Sequence, residues 1–310
     1  MPNAKKPLKI GTRGSPLALA QAIETRSRLM TAHGLGEDAC EIVIIKTTGD
    51  AVQDRPLKEI GGKGLFTKEI EEALLAGTID IAVHSMKDMP VAQPEGLVLD
   101  CYLPREDVRD AFVSPSVASI GDLPEGAVVG SSSLRRRAQL ASRRPDLVLV
   151  EFRGNVQTRL KKLNDGVASA TFLAMAGLNR LGMAHVAQSA IAVEDMLPAV
   201  AQGAIGIERR GDDARAELLL AAIHDEVTGE GIVSERAFLA ALDGSCETPI
   251  AGLALHDAGG LWLRGEILRP DGSEVLRAEV RCAVSDGAKA GDALGRDLLG
   301  QAPEGFFDWR

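Results

Sequence analysis

Up to His224 the chain alternates between short apolar runs and helical stretches that carry their own start and stop signals. That alternation confines the segment to an open α/β architecture with parallel strands. Residues 9–11 read as a first short strand, after which Ser15 caps a helix with Pro16 at its first position, running to Met30. Residues 41–47 (EIVIIKT) read as a buried strand, 68–75 as a helix ended by Ala76-Gly77, and 79–83 as a strand closed by His84-Ser85-Met86-Lys87-Asp88. The order then recurs. Val128-Val129 precedes a capped helix, 147–152 is a strand, 156–163 a helix, and Asn164-Asp165-Gly166 turns into the apolar stretch 168–174. LLAGTIDIAV and KLNDGVASATFLA share the order helix, glycine turn, strand, which predicts two lobes of one design.

Leu103-Pro104-Arg105-Glu106-Asp107 and Leu197-Pro198-Ala199-Val200 read as the two crossings between lobes. After His224 a helix over 234–242 ends in Asp243-Gly244-Ser245-Cys246. Strands over 250–256, 261–268 and 274–283 follow, with Gly259-Gly260 and Pro270-Asp271-Gly272 as turns. That is an antiparallel α+β domain. The expected division is therefore lobe 1 at 1–104 with a return segment at 199–221, lobe 2 at 105–198, and an α+β domain at 222–310. In lobes of this kind ligands sit at the carboxyl ends of strands. Asp88, Ser131–Ser133 and Arg153 are expected to face a common cleft.

The chain is acidic, with net charge −9, yet between Gly130 and Arg180 ten basic residues stand against three acidic ones. A local arginine patch on an acidic protein points to a small polyanion and away from general nucleic-acid binding. Arg143-Arg144 and Lys161-Lys162 read as solvated helix faces. Arg135, Arg136 and Arg137 differ, because Val128-Val129-Gly130-Ser131-Ser132-Ser133 before them reads as strand end, small-residue turn and helix start, where unpaired N–H groups favour an anion. Helical spacing lets one or two of the three share a cleft. No run approaches a membrane span and the start lacks a signal-peptide core, so a cytoplasmic location is expected. Cys40, Cys101, Cys246 and Cys282 form no C-x-x-C pair, so neither zinc nor disulfides are expected. Cys40 and Cys282 sit in strand-like runs as core residues; Cys246, on a Gly/Ser loop, reads as reactive.

Six motifs in order, GTRGSPLALAQ (11–21), GGKGLFTKE (61–69), HSMKD (84–88), GSSSLRR (130–136), RGNVQTRL (153–160) and LDGSCETPIAG (242–252), resemble the porphobilinogen deaminase family. The resemblance implies a transferase of porphyrin and heme biosynthesis. It joins four porphobilinogen molecules head to tail, releases ammonia at each step and yields the linear tetrapyrrole hydroxymethylbilane, which passes to uroporphyrinogen-III synthase. It further implies a monomer of three domains, two of them like periplasmic anion-binding lobes with parallel-rich mixed sheets, and a dipyrromethane cofactor on one cysteine.

By this match Cys246 carries the cofactor through a thioether and Asp88 is the catalytic carboxylate, stabilising the cation left when ammonia departs. Asp88, Lys87, Ser131, Ser132, Ser133, Arg135 and Arg136 bind the cofactor. Arg13, Ser15, Lys63, Phe66, Arg153, Arg159, Arg180 and Gln202 bind the substrate, whose acetate and propionate groups account for the arginines. Lys63 and Phe66 lie in a glycine-rich segment expected to act as a lid. Lys87 and Asp88 point to opposite sides if their segment is extended. His84 is expected to be structural. This sequence departs from the family pattern at Ser131, Ser245, Glu59 and Ala201. Two competing readings are a small-anion binding protein without catalysis and a thiol enzyme with Cys246 as nucleophile and His84 or His256 as base.

Overall fold

The computed structural model describes residues 1–2, 6–51, 67–244 and 248–309. In chain order it contains β1 (Leu8–Arg13), α1 (Pro16–His33), β2 (Cys40–Ile45), the single turn α2 (Thr48–Ala51), α3 (Lys68–Leu75), β3 (Ile81–Ser85) and β4 (Leu97–Tyr102). Next come β5 (Asp110–Val113), β6 (Val128–Gly130), α4 (Leu134–Arg143), β7 (Val148–Val150), α5 (Val156–Asn164), β8 (Ala170–Ala174), α6 (Met175–Arg180) and β9 (Ser189–Ala190). The last group is β10 (Ile205–Arg210), α7 (Ala214–Ala221), α8 (Glu226–Ala241), β11 (Ile250–Asp257), β12 (Gly260–Leu268), β13 (Val275–Cys282) and α9 (Gly287–Gln301). The chain forms two compact units, Met1–Glu106 with Ala204–Gly229, and Asp107–Gly203 with Glu230–Arg310.

The first unit holds a sheet of order β2-β1-β3-β10-β4, in which β1 runs parallel to β2 and β3 while β10 is antiparallel to β3 and β4. One face buries Leu8, Ile10, Ile81 and Ile207 against Ala22 and Leu29 of α1 and Leu219 and Leu220 of α7. The other takes Ile70 and Leu74 of α3, four residues apart on one helix face. The second unit repeats this plan with order β7-β6-β8-β5-β9, β6 lying parallel to β7 and β8 and β5 antiparallel to β8 and β9. Its two faces bury Phe112, Val129 and Phe172 with Leu140 of α4, and Ala111, Val113 and Leu173 with Leu163 of α5 and Leu178 of α6. The two segments with the shared helix-turn-strand order are α3–β3 and α5–β8, and each supplies the third strand of its sheet.

The second unit also contains the antiparallel sheet β11-β12-β13. Its helix α8 is longer than the 234–242 read from sequence and starts at Glu226. Phe238 of α8 is fully buried over Gly252 and Gly265, where a Cβ would lie 3.2 Å and 2.5 Å from its ring. The protein is thus α/β, with two parallel-rich mixed sheets and a smaller antiparallel sheet.

Candidate active site

In the first unit β1 ends at Arg13, and Ser15 caps α1, its Oγ accepting from Ala18 N–H at 3.3 Å. Parallel to it, β3 ends at Ser85 and runs into a 3-10 turn over Met86–Asp88. This turn is anchored from below. Met86 N–H donates to the Ala204 carbonyl at 3.0 Å, and the buried Met86 side chain lies over Gly206, where a Cβ would come within 2.1 Å of its sulfur. The turn corrects the extended reading of Lys87 and Asp88: in a 3-10 helix neighbours are about 120° apart, so the two side chains are not opposed. Lys87 is half-buried and Asp88 exposed. Arg13, Ser15, Gln21, Thr67, His84, Ser85 and Asp88 line one cavity. Of these, His84 has its Nε2 3.1 Å from Glu208 Oε2, both side chains buried. Gln21 Nε2 donates to Ser85 Oγ at 2.8 Å.

In the second unit β6 ends at Gly130, where a Cβ would meet the Phe152 ring at 2.4 Å, so only glycine lets the two strand ends lie this close. Each of the next three serines accepts a backbone N–H: Ser131 Oγ from Ser133 at 3.2 Å, Ser132 Oγ from Phe152 at 2.9 Å, and Ser133 Oγ from Arg136 at 3.4 Å as the α4 cap. Among the described residues their O–H groups have no acceptor and so remain as donors. Arg153 follows β7, is half-buried, and has Nη1 buried with no partner among the described residues. Its carbonyl accepts from Lys162 Nζ at 2.9 Å. Arg159 lies half-buried on α5, and Arg180 at the end of α6 donates from Nη2 to the Gly203 carbonyl at 3.0 Å.

Arg135 and Arg136 lie deeper than sequence reasoning placed them, only 4% and 5% exposed. Both donate from Nη2 to Asp110, each at 2.7 Å, and Gln202 Nε2 reaches the same carboxylate at 2.8 Å. Arg137 is outside this cluster and pairs with Glu151. Burial by itself would raise the Asp110 carboxyl, but the charges of Arg135 and Arg136, with hydrogen bonds from Arg136 and Gln202, hold it far below the usual carboxylate range. Arg144 is not simply a solvated residue either. It pairs with Asp146 and donates to the Ile120 and Leu123 carbonyls, tying down the loop before β6. Arg143 is exposed and reaches the carbonyls of Glu194 and Asp195.

Sequence reasoning missed Asp110, Glu208 and Glu235, all fully buried. A lone acid inside an apolar strand, as in Asp110-Ala111-Phe112-Val113, was the available signal for Asp110, since unpaired acids are rarely buried. Cys246, Lys63 and Phe66, with Glu59 and Ser245, lie outside the described residues. Cys40 and Cys101 are buried thiols, the latter pushed up to about 12 by burial and then by Asp100.

The family model described as "Porphobilinogen deaminase, dipyromethane cofactor binding domain" matches residues 8–218, and "Porphobilinogen deaminase, C-terminal domain" matches residues 230–300. A porphobilinogen deaminase from Paracoccus denitrificans is 72% identical over 309 residues, covering 100% of this chain and 99% of that protein. A chloroplastic porphobilinogen deaminase from Pisum sativum is 55% identical over 307 residues, 97% of this chain and 83% of that one. Among solved structures, an ABC-transporter periplasmic substrate-binding protein from Coxiella burnetii aligns with a TM-score of 0.42 and 14% identity, over 71% of this chain and 93% of that one. Matched by both family models and along its whole length by a 72% identical relative, the chain belongs to the porphobilinogen deaminase family.

Proposed function

We propose that Asp88 is the catalytic carboxylate in the stepwise, head-to-tail condensation of four porphobilinogen molecules to hydroxymethylbilane. The observation that carries this is its placement: an exposed carboxylate on a turn anchored at the carboxyl end of β3, sharing a cavity with Arg13 and Ser15. Loss of ammonia leaves positive charge on the substrate ring, and a fixed anion beside the ring N–H lowers the energy of that charged state. Arg13 and Ser15 receive a substrate carboxylate in the same cavity.

The residues of the second unit fit a dipyrromethane, which bears several carboxylates. Arg135 Nε, Arg136 Nε and Arg153 Nη1 are buried donors with no partner among the described residues, and Ser131, Ser132 and Ser133 keep O–H donors beside them in sequence. When bound through Cys246, the group supplies the pyrrole position to which the first substrate ring is joined. The chain's own part is to neutralise carboxylates with Arg135, Arg136, Arg153, Arg159 and Arg180 and to hold Lys87 and Asp88 at the reacting ring. Lys63 and Phe66 complete the substrate contacts in this reading, while Gln202, expected among them, is buried with its Nε2 on the Val108 carbonyl and Asp110 and acts from that cluster.

The three sheets support division into two lobes and an α+β domain close to 222–310. No helix among the described residues is long and apolar enough to cross a membrane. We read the protein as a cytoplasmic monomer whose product passes to uroporphyrinogen-III synthase.

The test is the intact mass of the denatured protein, together with ammonia and tetrapyrrole released from porphobilinogen. The expected mass exceeds the sequence mass by two pyrrole units, and Cys246→Ser abolishes the increment. Active protein at its bare sequence mass overturns the assignment, and porphobilinogen binding without ammonia release would make the chain a binding protein.

A further inference from the structure

Asp110, Arg135 and Arg136 put three full charges where water does not reach. Desolvating such a cluster costs several kcal/mol per ion, and apolar residues of similar volume often stabilise a fold as well or better. Its geometry is specific nonetheless. Asp110 Oδ2 accepts from Arg135 Nη2 and Oδ1 from Arg136 Nη2, while the remaining Nη1 groups donate to the carbonyls of Leu197 at 2.8 Å and Phe172 at 3.0 Å. The two Nε–H groups are buried and have no partner among the described residues. Both guanidiniums are therefore held through their Nη atoms, and the buried Nε–H of each is among the donors left over.

The lock extends along the backbone. Gln202 Nε2 bonds Asp110 Oδ1 and also the Val108 carbonyl, each at 2.8 Å. Its neighbour Ala201 holds φ at +60°, a left-handed conformation that a residue with a Cβ adopts only when its surroundings impose it. What imposes it is Glu235. Its Oε2 accepts from Ala201 N–H at 2.6 Å and its Oε1 from Ala254 N–H at 2.8 Å. Glu235 lies on α8 and Ala254 on β11, and Cys246 falls in the segment that joins those two elements.

We infer that Asp110 and Glu235 are positioning residues: one buried polar network, Glu235–Ala201–Gln202–Asp110, fixes the Arg135/Arg136 pair in register with the two elements that flank Cys246. Neither acid touches cofactor or substrate; each acts through the arginines. Asp110 holds one Nη2 of each arginine, so that the neighbouring Nε–H is kept for a carboxylate. This rests on the reading above that Arg135 and Arg136 bind the cofactor.

The experiment compares Asp110→Asn, Glu235→Gln, their double variant and Arg136→Leu. The readouts are the fraction of folded protein carrying the two-pyrrole mass increment, and the rate at which cofactor-free protein gains it from porphobilinogen. An amide at either position turns an N–H2 toward an existing donor, which displaces one partner without removing bulk. Asp110→Asn should slow the gain about tenfold, one well-formed contact of roughly 1.4 kcal/mol. Glu235→Gln should slow it a few-fold, and the double variant less than the product of the two, as coupled groups do. Normal loading in Arg136→Leu would sink the binding role itself. Defective loading there with normal loading in folded Asp110→Asn and Glu235→Gln would overturn only the positioning claim. If Asp110→Asn does not fold, Glu235→Gln decides, because a merely structural role lowers stability without slowing adduct formation per folded molecule.

Discussion

At the scale of single residues, Asp88 and Asp110 are the same group in opposite environments. Asp88 is exposed on a turn, beside a cavity containing one arginine; Asp110 is sealed under two arginines. In the proposed reading only the first meets a reacting ring. Asp88→Asn keeps the size and removes the charge, so turnover should fall by orders of magnitude while binding of anionic porphobilinogen does not weaken. Asp88→Glu should keep some activity. Single-turnover kinetics checks both, and near-normal turnover in Asp88→Asn would reduce Asp88 to a turn residue. The basic run could be read as a candidate anion site because helix start, serines and arginines are local in sequence. The way Arg135 and Arg136 are held was not, since their counter-ion is some 25 residues away. Arg135→Leu should accordingly lower stability as well as, in the proposed reading, cofactor loading, since it leaves Asp110 with a single arginine.

At the scale of elements, the reading of helices and strands succeeded where caps and periodicity are local. Ser15, Ser133 and Asn155 cap α1, α4 and α5 through side-chain bonds to backbone N–H groups. It fell short for α8, whose first turns carry glycines at 229 and 231 that depress helix propensity; packing decides there. A related case is α9. Gly287, Gly291 and Gly295 recur every fourth residue and face α8, and a Cβ at Gly291 would lie 2.2 Å from the Ser234 carbonyl oxygen. Gly300, on the same helix, has nothing within 4 Å of that position. Gly291→Ala should cost roughly 1–3 kcal/mol, as overpacking against backbone does. Gly300→Ala should leave stability unchanged or raise it by up to about 1 kcal/mol through helix propensity. Thermal or urea unfolding of the two variants checks the contrast, and equal effects would show that α8 and α9 do not pack this closely. Because α8 leads into the Cys246 segment, Gly291→Ala should also lower the fraction carrying the cofactor.

At the scale of the whole molecule, the buried ionic cluster ties folding to pH. The Asp110 carboxyl is depressed in the folded state, so its contribution to stability is fully present above the unfolded aspartate value of about 3.9 and is lost as pH falls below it. Glu71 and Glu266 have the opposite sign. Burial raises both, so their share is present below about pH 4.3 and declines as pH rises through their folded values. Urea unfolding between pH 7 and pH 3 should show a steep loss of stability at the acid end, shallower in Asp110→Asn. An identical slope in that variant would mean that Asp110 is not the charge being titrated. The sequence by itself determined the alternating α/β plan, the change to an antiparallel domain and the candidate residues at strand ends, because periodicity, caps and turns act over a few neighbours. Only the tertiary structure decided which acids are buried, that Arg135 and Arg136 share Asp110, and that Glu235 reaches Ala201, because those contacts join residues tens of positions apart and depend on desolvation that no local pattern records.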